Sequence, residues 1–277
     1  MDSKTADDKF IDLEEVIRKK NPKLLKIFPT FILNFLKKII YQEELNTVIR
    51  NNIHEYGLSF VSGILRGFGT NVKVYGIENI PVNGRFIFAS NHPLGGLDGL
   101  VLMHEVGKKF PELKFVVNDL LLNVKNLEPV FIPVNKHGRQ SIAYARLIEK
   151  AYKSDEQILY FPAGLCSRKI KGKIIDLPWH KSFIVKSVEH KRDIIPVYFE
   201  GRNTNFFYNL ANLRKLLGIK ANLEFIFLVG EMFKQKGKLI TLTFGKPLPY
   251  TMFDHSKQPG EWALEVRKIV YSMKKSL

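Results

Sequence analysis

A histidine and an aspartate in one glycine-containing segment are the residues of this sequence best suited to acid–base chemistry. His92 and Asp98 lie in Asn-His-Pro-Leu-Gly-Gly-Leu-Asp-Gly, a His-x5-Asp spacing. A carboxylate that accepts one ring N–H fixes the tautomer of a histidine and stabilises the imidazolium, while the other ring nitrogen takes a proton. Gly95 and Gly96 allow the segment to curl so that the two side chains meet. The pattern predicts a general base, His92, held by Asp98; the alternative is a turn histidine and a helix-capping aspartate.

Two further segments place cations after apolar runs that are typical of buried strands. Residues 161–168, Phe-Pro-Ala-Gly-Leu-Cys-Ser-Arg, follow one such run. A glycine-containing turn exposes backbone N–H groups, and Arg168 suits bidentate binding of a phosphate or carboxylate. Lys136 and Arg139 follow another run in a basic turn. The alternative for each segment is an ordinary strand-to-loop turn with solvated cations.

Taken in order, these segments resemble the motifs of the glycerolipid acyltransferase superfamily, the lysophosphatidic acid acyltransferase-like enzymes. That superfamily carries an Asn-His-x4-Asp block, a Phe-Ile-x-Arg block, a Phe-Pro-Glu-Gly block with an arginine, and an apolar block with a proline. The match covers roughly residues 72–249, with Ile-Ile-Pro-Val at 194–197 as the apolar block. The resemblance implies that His92 is the general base and Asp98 its partner. It also implies a set of substrate-binding residues: Asn91, Lys136, Arg139, Gly164, Ser167 and Arg168.

Two departures from those blocks point to one branch of the superfamily. Five residues, rather than four, separate His92 from Asp98, and Ala163 stands where the superfamily has glutamate. These variants resemble the bacterial haemolysin-like branch, which includes N-acyltransferases that make ornithine- or glycine-containing lipids from acyl carrier protein thioesters. The resemblance implies acyl transfer from an acyl-carrier-protein or CoA thioester to a lipid-precursor acceptor, either a lysophospholipid hydroxyl or an amino-acid amine. No cofactor is implied beyond the donor thioester.

Other candidate sites have weaker support. Cys166 as a nucleophile needs a base in reach, and no neighbour in the sequence supplies one, so we expect it to pack the turn. The remaining histidines lack His-x3-His or His-Glu-x2-His spacing, so no metal site is predicted. In the segment 176–181, Asp-Leu-Pro-Trp-His-Lys, Trp179 and Lys181 either line a substrate path or pack.

Short apolar runs that alternate with amphipathic stretches from residue 72 onward predict the elements that position these residues. The expected class is α/β, with a mixed, largely parallel twisted sheet flanked by helices. Reactive groups in such sheets usually lie at the carboxyl ends of strands. Strands are predicted at 85–90, 114–117, 130–134, 158–161, 194–199, 225–228 and 239–244, and helices at 141–152, 180–189, 206–217 and 262–273.

Residues 10–68 are predicted to be helical throughout, whereas strands and helices alternate in the rest of the chain. Apolar residues recur there at three- and four-residue spacing between positions 24 and 40, flanked by lysines. Such a face suits docking on anionic lipid, and it equally suits packing on a catalytic domain. The predicted division is an N-terminal helical segment at 1–68, with a membrane-docking role as one of its two interpretations, and an acyltransferase catalytic domain at 69–277.

Charge and composition limit the partners and the compartment. The chain has 277 residues, a formal net charge of +16 and one cysteine. This excess of positive charge attracts a polyanion, which can be a nucleic acid, an anionic bilayer or an acidic carrier protein. One cysteine excludes an intrachain disulfide. Neither a secretory signal nor a run of eighteen apolar residues is evident, which predicts a cytoplasmic protein, peripheral on the inner face of the membrane.

The expected partners are an acyl carrier protein or CoA thioester, an anionic membrane surface and a lipid-precursor acceptor, with no nucleic acid. Two alternatives to an enzyme remain open. A basic nucleic-acid-binding protein is suggested by the charge alone and predicts salt-sensitive binding. A catalytically inactive, membrane-associated scaffold fits a degenerate member of the superfamily.

Overall fold

The computed structural model describes residues 10–20, 22–118, 124–134, 140–220 and 222–274. The α-helices are α1 (Leu13–Lys20), α2 (Pro22–Ile27), α3 (Thr30–Ile39), α4 (Gln42–Asn51), α5 (Gly57–Gly67), α6 (Gly96–Gly107), α7 (Gln140–Lys153), α8 (Ser182–His190), α9 (Asn205–Leu216), α10 (Leu228–Phe233) and α11 (Pro259–Ser272). The strands are β1 (Asn71–Tyr75), β2 (Phe86–Ser90), β3 (Leu113–Asn118), β4 (Phe131–Val134), β5 (Gln157–Tyr160), β6 (Arg168–Ile170), β7 (Lys173–Ile175), β8 (Asp193–Glu200) and β9 (Leu239–Phe244).

The main sheet confirms the predicted class, α/β with a mixed, largely parallel sheet. Its strand order is β1-β9-β8-β2-β5-β3-β4, and neighbouring strands are parallel except β8 and β9. The central strands β2 and β8 have nearly continuous apolar sequences, which are typical of parallel strands buried on both faces. β6 and β7 form a separate antiparallel hairpin.

The register of the central strands brings the predicted site segments to one edge of the sheet. Ala89 in β2 is aligned with Tyr160 in β5 and with Pro196 in β8. Because these three strands are parallel, the segments that follow them leave the sheet on the same side. The segment that contains His92 and the turn after β5 therefore meet.

Helices cover both faces of the sheet, as the sequence predicts. The side chains of β2 alternate between two hydrophobic clusters. Phe86 and Phe88 pack in a cluster with α5 and α6, whereas Ile87 and Ala89 pack in a second cluster with α8 and α11. The strand that precedes the catalytic candidate is thus fixed from both sides.

The strand predicted at 225–228 is wrong. Leu223–Phe227 is a 3-10 helix that leads into α10. The run is apolar, but an apolar run this short fits a helix as well as a strand, and a buried ion pair at Glu224 anchors it. The other predicted strands and helices are confirmed to within a few residues at their ends.

The N-terminal segment is helical, as predicted, and its helices differ in burial. In α5, Phe60 and Val61 are fully buried in the core shared with the sheet. In α3, Phe31 is 72% exposed and Phe35 is 63% exposed. None of the described helices combines the length and the apolarity needed to cross a bilayer. The division of the chain at residue 68 stays a prediction.

Candidate active site

His92 and Asp98 meet in the connection between β2 and α6. β2 ends at Ser90, α6 begins at Gly96, and Asp98 lies in the first turn of α6. His92 Nδ1 lies 3.1 Å from Asp98 Oδ1 and 3.0 Å from Asp98 Oδ2. The structure therefore brings together the pair that the sequence predicts, and the His-x5-Asp spacing accommodates the contact. Catalysis by this pair stays a prediction.

The Asp98 carboxylate is fully buried and is held by the backbone around it. Oδ2 accepts a hydrogen bond from Leu94 N–H at 2.8 Å, and Oδ1 accepts one from Gly99 N–H at 3.0 Å. Gly95, at a φ of 77°, makes the reversal between His92 and α6, and this left-handed conformation suits glycine. The loop backbone thus orients the carboxylate toward the histidine ring.

The ring of His92 stacks on Phe161, with centroids 4.0 Å apart and planes 18° from parallel. Phe161 in turn packs edge-on against Phe115, with centroids 5.2 Å apart. The His92 side chain keeps 16% of its surface exposed, so solvent reaches it. Because Nδ1 is engaged by Asp98, the tautomer inferred from this bond leaves Nε2 as the nitrogen that takes a proton.

Opposing effects act on the pKa of His92. Burial lowers this pKa because it disfavours the charged ring. The charge of Asp98 and its hydrogen bond act in the opposite sense, and the His92 pKa lies well above its usual range. Cys166, which is 2% exposed, lies close enough to the ring to raise the pKa of His92 further. His92 thus lies near this thiol although no neighbour in the sequence supplies a base, and Cys166 packs with Phe207 and Tyr208, as expected for a residue that packs the turn.

The turn after β5 lies directly against the His92 segment. Ser167 N–H donates to His92 O at 2.8 Å, which joins the two segments. Gly164, at a φ of 67°, lets the chain reverse after β5, and its N–H donates to Phe161 O at 2.9 Å. Gly164 is exposed, so a ligand can approach its backbone. Its contact with substrate stays a prediction.

Arg168 is buried and paired within the protein. Its Nη2 lies 2.9 Å from Glu224 Oε1, and its Nη1 donates to Cys166 O at 2.7 Å. Glu224 is fully buried and also pairs with Arg214, whose Nε lies 2.8 Å from Glu224 Oε2. Arg168 therefore ties the turn to the 3-10 helix before α10. Its contact with a substrate anion stays a prediction.

Two other predicted substrate-binding residues also bond within the protein, and both side chains are buried. Asn91 bonds with both backbone groups of Phe199 in β8: Nδ2 donates to O at 2.9 Å, and Oδ1 accepts from N at 2.7 Å. Ser167 donates its hydroxyl to Asp176 Oδ1 at 2.5 Å. These bonds fix the strand ends and the turn, and substrate contacts by Asn91 and Ser167 stay predictions.

Asp176 belongs to the site, although its place in the sequence does not identify it. Its carboxylate accepts hydrogen bonds from His92 N–H at 3.2 Å and from Trp179 Nε1 at 2.9 Å. Trp179 is 5% exposed and packs edge-on against Phe183, which favours packing over a place on a substrate path. The available signal was a single acid in the otherwise apolar run 174–179.

The structure describes part of the predicted substrate-binding surface. Lys136 and Arg139 lie outside the described residues. A cleft of about 430 Å³ lies between α5 and α6, away from the catalytic pair. Its lining includes Ser62, Arg66, His104 and Lys108. This cleft is therefore separate from the place where an acyl chain would meet His92.

Comparison with known proteins assigns the chain to a family. An acyltransferase family model matches residues 15–277. The chain belongs to the acyltransferase family. The acyltransferase is 46% identical over 264 residues to the lyso-glycine lipid O-acyltransferase of Bacteroides thetaiotaomicron, a match that covers 95% of this chain and 97% of that relative. It is 44% identical over 273 residues to the lyso-glycine lipid O-acyltransferase of Phocaeicola vulgatus, a match that covers 98% of each chain.

Among solved structures, the acyltransferase is similar to the 1-acyl-sn-glycerophosphate (LPA) acyltransferase PlsC from Thermotoga maritima. The identity is 17% and the TM-score is 0.45, and the alignment covers 94% of this chain and 100% of that chain. The membership predicted from the four sequence blocks and the enzyme class are thus confirmed by the family model and by the curated relatives.

Proposed function

We propose that this acyltransferase transfers a fatty-acyl chain from a thioester to the hydroxyl group of a lyso-glycine lipid. The observation that carries the proposal is that two relatives with this O-acyltransferase name are 46% and 44% identical along 95% or more of the chain. Of the two acceptors that the sequence leaves open, these relatives favour the hydroxyl over the amine. An amino-acid lipid also agrees with the branch that the segments around His92 and Ala163 resemble.

His92 is the general base in this proposal. With Nδ1 bonded to Asp98, Nε2 removes the hydroxyl proton as the acceptor oxygen attacks the thioester carbonyl. The C–S bond breaks when the tetrahedral intermediate collapses, and the imidazolium returns the proton to the departing thiolate. Asp98 stabilises the imidazolium between these two steps. The products are an ester and a free thiol.

The start of α6 is suited to stabilise the oxyanion of the tetrahedral intermediate. α6 begins at Gly96, close to His92, and the first N–H groups of a helix lack partners within the helix. The helix dipole also favours negative charge at this end. A Cβ at Gly95 would come within 3.0 Å of Leu228, and one at Gly96 within 3.5 Å of Met232. The segment that leads through α10 therefore forms a wall beside this loop.

The donor in this proposal is a thioester of acyl carrier protein or of CoA. The net charge of +16 favours the acidic carrier protein, because opposite charges steer association. The protein acts as a peripheral protein on the inner face of the membrane, where a lipid acceptor is found. Phe31 and Phe35 of α3 support this location because they are exposed, and so are Lys26 and Lys38, which lie near them in the sequence. Such aromatic rings enter a lipid interface while lysines contact anionic headgroups.

The proposal is tested with the purified protein, acyl-carrier-protein and CoA thioesters, and three acceptors: lyso-glycine lipid, lysophosphatidate and free glycine. Mass spectrometry is expected to detect O-acylated glycine lipid and little product from the other acceptors. His92→Ala is expected to fold and to lose acyl transfer, whereas the control His255→Ala, in an exposed loop, stays active. Product from lysophosphatidate or glycine alone would contradict the acceptor, and turnover by His92→Ala would contradict the base.

A further inference from the structure

A second carboxylate bonds to the catalytic segment at a different point from Asp98. Asp98 holds the ring of His92, whereas Asp176 Oδ1 accepts a hydrogen bond from the backbone N–H of His92 at 3.2 Å. The Asp176 side chain is fully buried. We propose that Asp176 is a positioning residue that fixes the main chain of the general base. This inference rests on the proposed function, in which His92 is that base.

Three donors from three separate segments converge on the Asp176 carboxylate. Besides His92 N–H, Oδ1 accepts the Ser167 hydroxyl at 2.5 Å and Oδ2 accepts Trp179 Nε1 at 2.9 Å. Ser167 N–H also donates to His92 O at 2.8 Å. The main chain of His92 is therefore held at its N–H by Asp176 and at its C=O by Ser167, which is itself bonded to Asp176.

The backbone of Asp176 is anchored by α11. Asp176 N–H donates to the Tyr271 hydroxyl at 2.7 Å, and Arg267 Nη2 donates to Asp176 O at 2.6 Å. A side chain that positions a catalytic group must itself be fixed by its surroundings. Because α11 holds both backbone groups of Asp176, the carboxylate presents a rigid reference point to the His92 segment.

A charged Asp176 would affect the protonation of His92, whereas a side chain that only packs would not. The charge therefore distinguishes a positioning role from packing alone. Burial raises the pKa of Asp176 above its usual value, although its hydrogen bonds and the charge of His92 oppose this rise and favour the ionised carboxylate. Electrostatic coupling is mutual, so an ionised Asp176 stabilises the protonated His92 ring. Within the part of the chain that the structure describes, the other ionisable groups that face these two residues are Asp98, Cys166, Tyr198, Arg267 and Tyr271.

The test compares Trp179→Phe with the double variant Asp176→Asn/Trp179→Phe. In Asp176→Asn alone, the new amide N–H₂ would face the indole N–H of Trp179, so replacing Trp179 removes this clash between donors. The asparagine oxygen can still accept from His92 N–H and from Ser167. The two proteins therefore differ in the charge at position 176 and in little else.

We expect the double variant to unfold within a few degrees of Trp179→Phe. Its kcat should be lower by about tenfold, because a neutral amide oxygen holds His92 N–H more weakly than a carboxylate does, with KM for the donor within about threefold. The acidic limb of kcat/KM and the pKa of His92, measured by NMR of its imidazole nitrogens, should both move to lower pH. The NMR measurement needs no turnover, so it separates this inference from the choice of acceptor.

Equal kcat and an equal pKa of His92 in the two proteins would overturn the proposal. If the double variant does not fold, Arg267→Gln loosens the anchor without changing the carboxylate. Its kcat should fall at least about threefold at unchanged KM, and an unchanged kcat would overturn the proposal. A wild-type protein without activity on lyso-glycine lipid contradicts the proposed acceptor instead, and the same comparison is then made by NMR.

Discussion

Asp98→Asn is the sharpest perturbation of the catalytic pair, because it removes the charge and keeps the size of the side chain. The bond from His92 Nδ1 to Asp98 Oδ2 at 3.0 Å involves an ionised acceptor. Hydrogen bonds to charged groups contribute about 1.5–3 kcal/mol, and about 1.4 kcal/mol corresponds to a tenfold change in rate. Loss of this bond alone therefore lowers kcat by about 10- to 150-fold.

The orientation of the new amide adds to this loss. Asp98 also accepts hydrogen bonds from Leu94 N–H and Gly99 N–H, so an asparagine cannot offer an oxygen to all three donors. If its N–H₂ turns toward His92, the ring adopts the wrong tautomer, which in a Ser-His-Asp protease lowers kcat about 10⁴-fold. The expected fall in kcat thus lies between about 10-fold and about 10⁴-fold, with KM for the donor nearly unchanged.

A pH profile separates this loss of catalysis from loss of structure. Asp98 raises the pKa of His92, and a general base works only when it is deprotonated. Wild-type kcat/KM should therefore rise with pH through a midpoint above about 6.5, and the midpoint should move to lower pH in Asp98→Asn.

The control for this experiment is Asp193→Asn. Asp193 lies at the start of β8, where its carboxylate accepts a hydrogen bond from Tyr250 N–H at 2.9 Å. Its substitution should leave the midpoint of the pH profile at the wild-type value. A wild-type kcat in Asp98→Asn, or a lower kcat without any shift of the midpoint, would refute the reasoning.

Three further variants test other contacts. Glu224→Gln removes the buried counter-charge of two arginines, so we expect about 3 kcal/mol of destabilisation and a Tm lower by about 6–12 °C; a wild-type Tm would contradict this. Phe161→Ala removes the ring stacked on His92, so kcat should fall about tenfold in steady-state assays, and an unchanged kcat would show that the stack does not orient the base. Phe31→Ser with Phe35→Ser removes two exposed rings, so sedimentation with anionic vesicles should show binding weaker by about 10- to 100-fold. Equal vesicle binding would exclude α3 as the docking face.

The pairing of His92 with Asp98 can be predicted from the sequence because both residues lie in one short connection. β2 fixes one end of this connection and α6 fixes the other. The glycines between the two residues supply the reversal, so local spacing determines the contact. The central strands can be predicted for a related reason, since their continuous apolar runs are stable only inside a sheet covered on both faces.

Contacts between distant segments could not be predicted in this way. Glu224 lies 56 positions from Arg168, in a run whose apolar residues suggest a strand. Asp176 lies 84 positions from His92. A single acid in an apolar run indicates that the carboxylate is buried and therefore needs donors. The identity of those donors depends on the tertiary fold, which no local pattern contains.

Arg168 and Arg214 pair with one buried carboxylate, Glu224, and this pairing limits the substitutions that the three positions can accept. Loss of Glu224 leaves two guanidinium groups unpaired in the interior, and loss of either arginine leaves one cation to balance the carboxylate. We therefore expect a single change at Glu224 to destabilise the fold, whereas joint replacement of the triad by apolar side chains should be tolerated. Relatives should accordingly vary at positions 168, 214 and 224 as a group. A chimaera that exchanges residues 214–224 between two relatives should fold only when position 168 comes from the same parent.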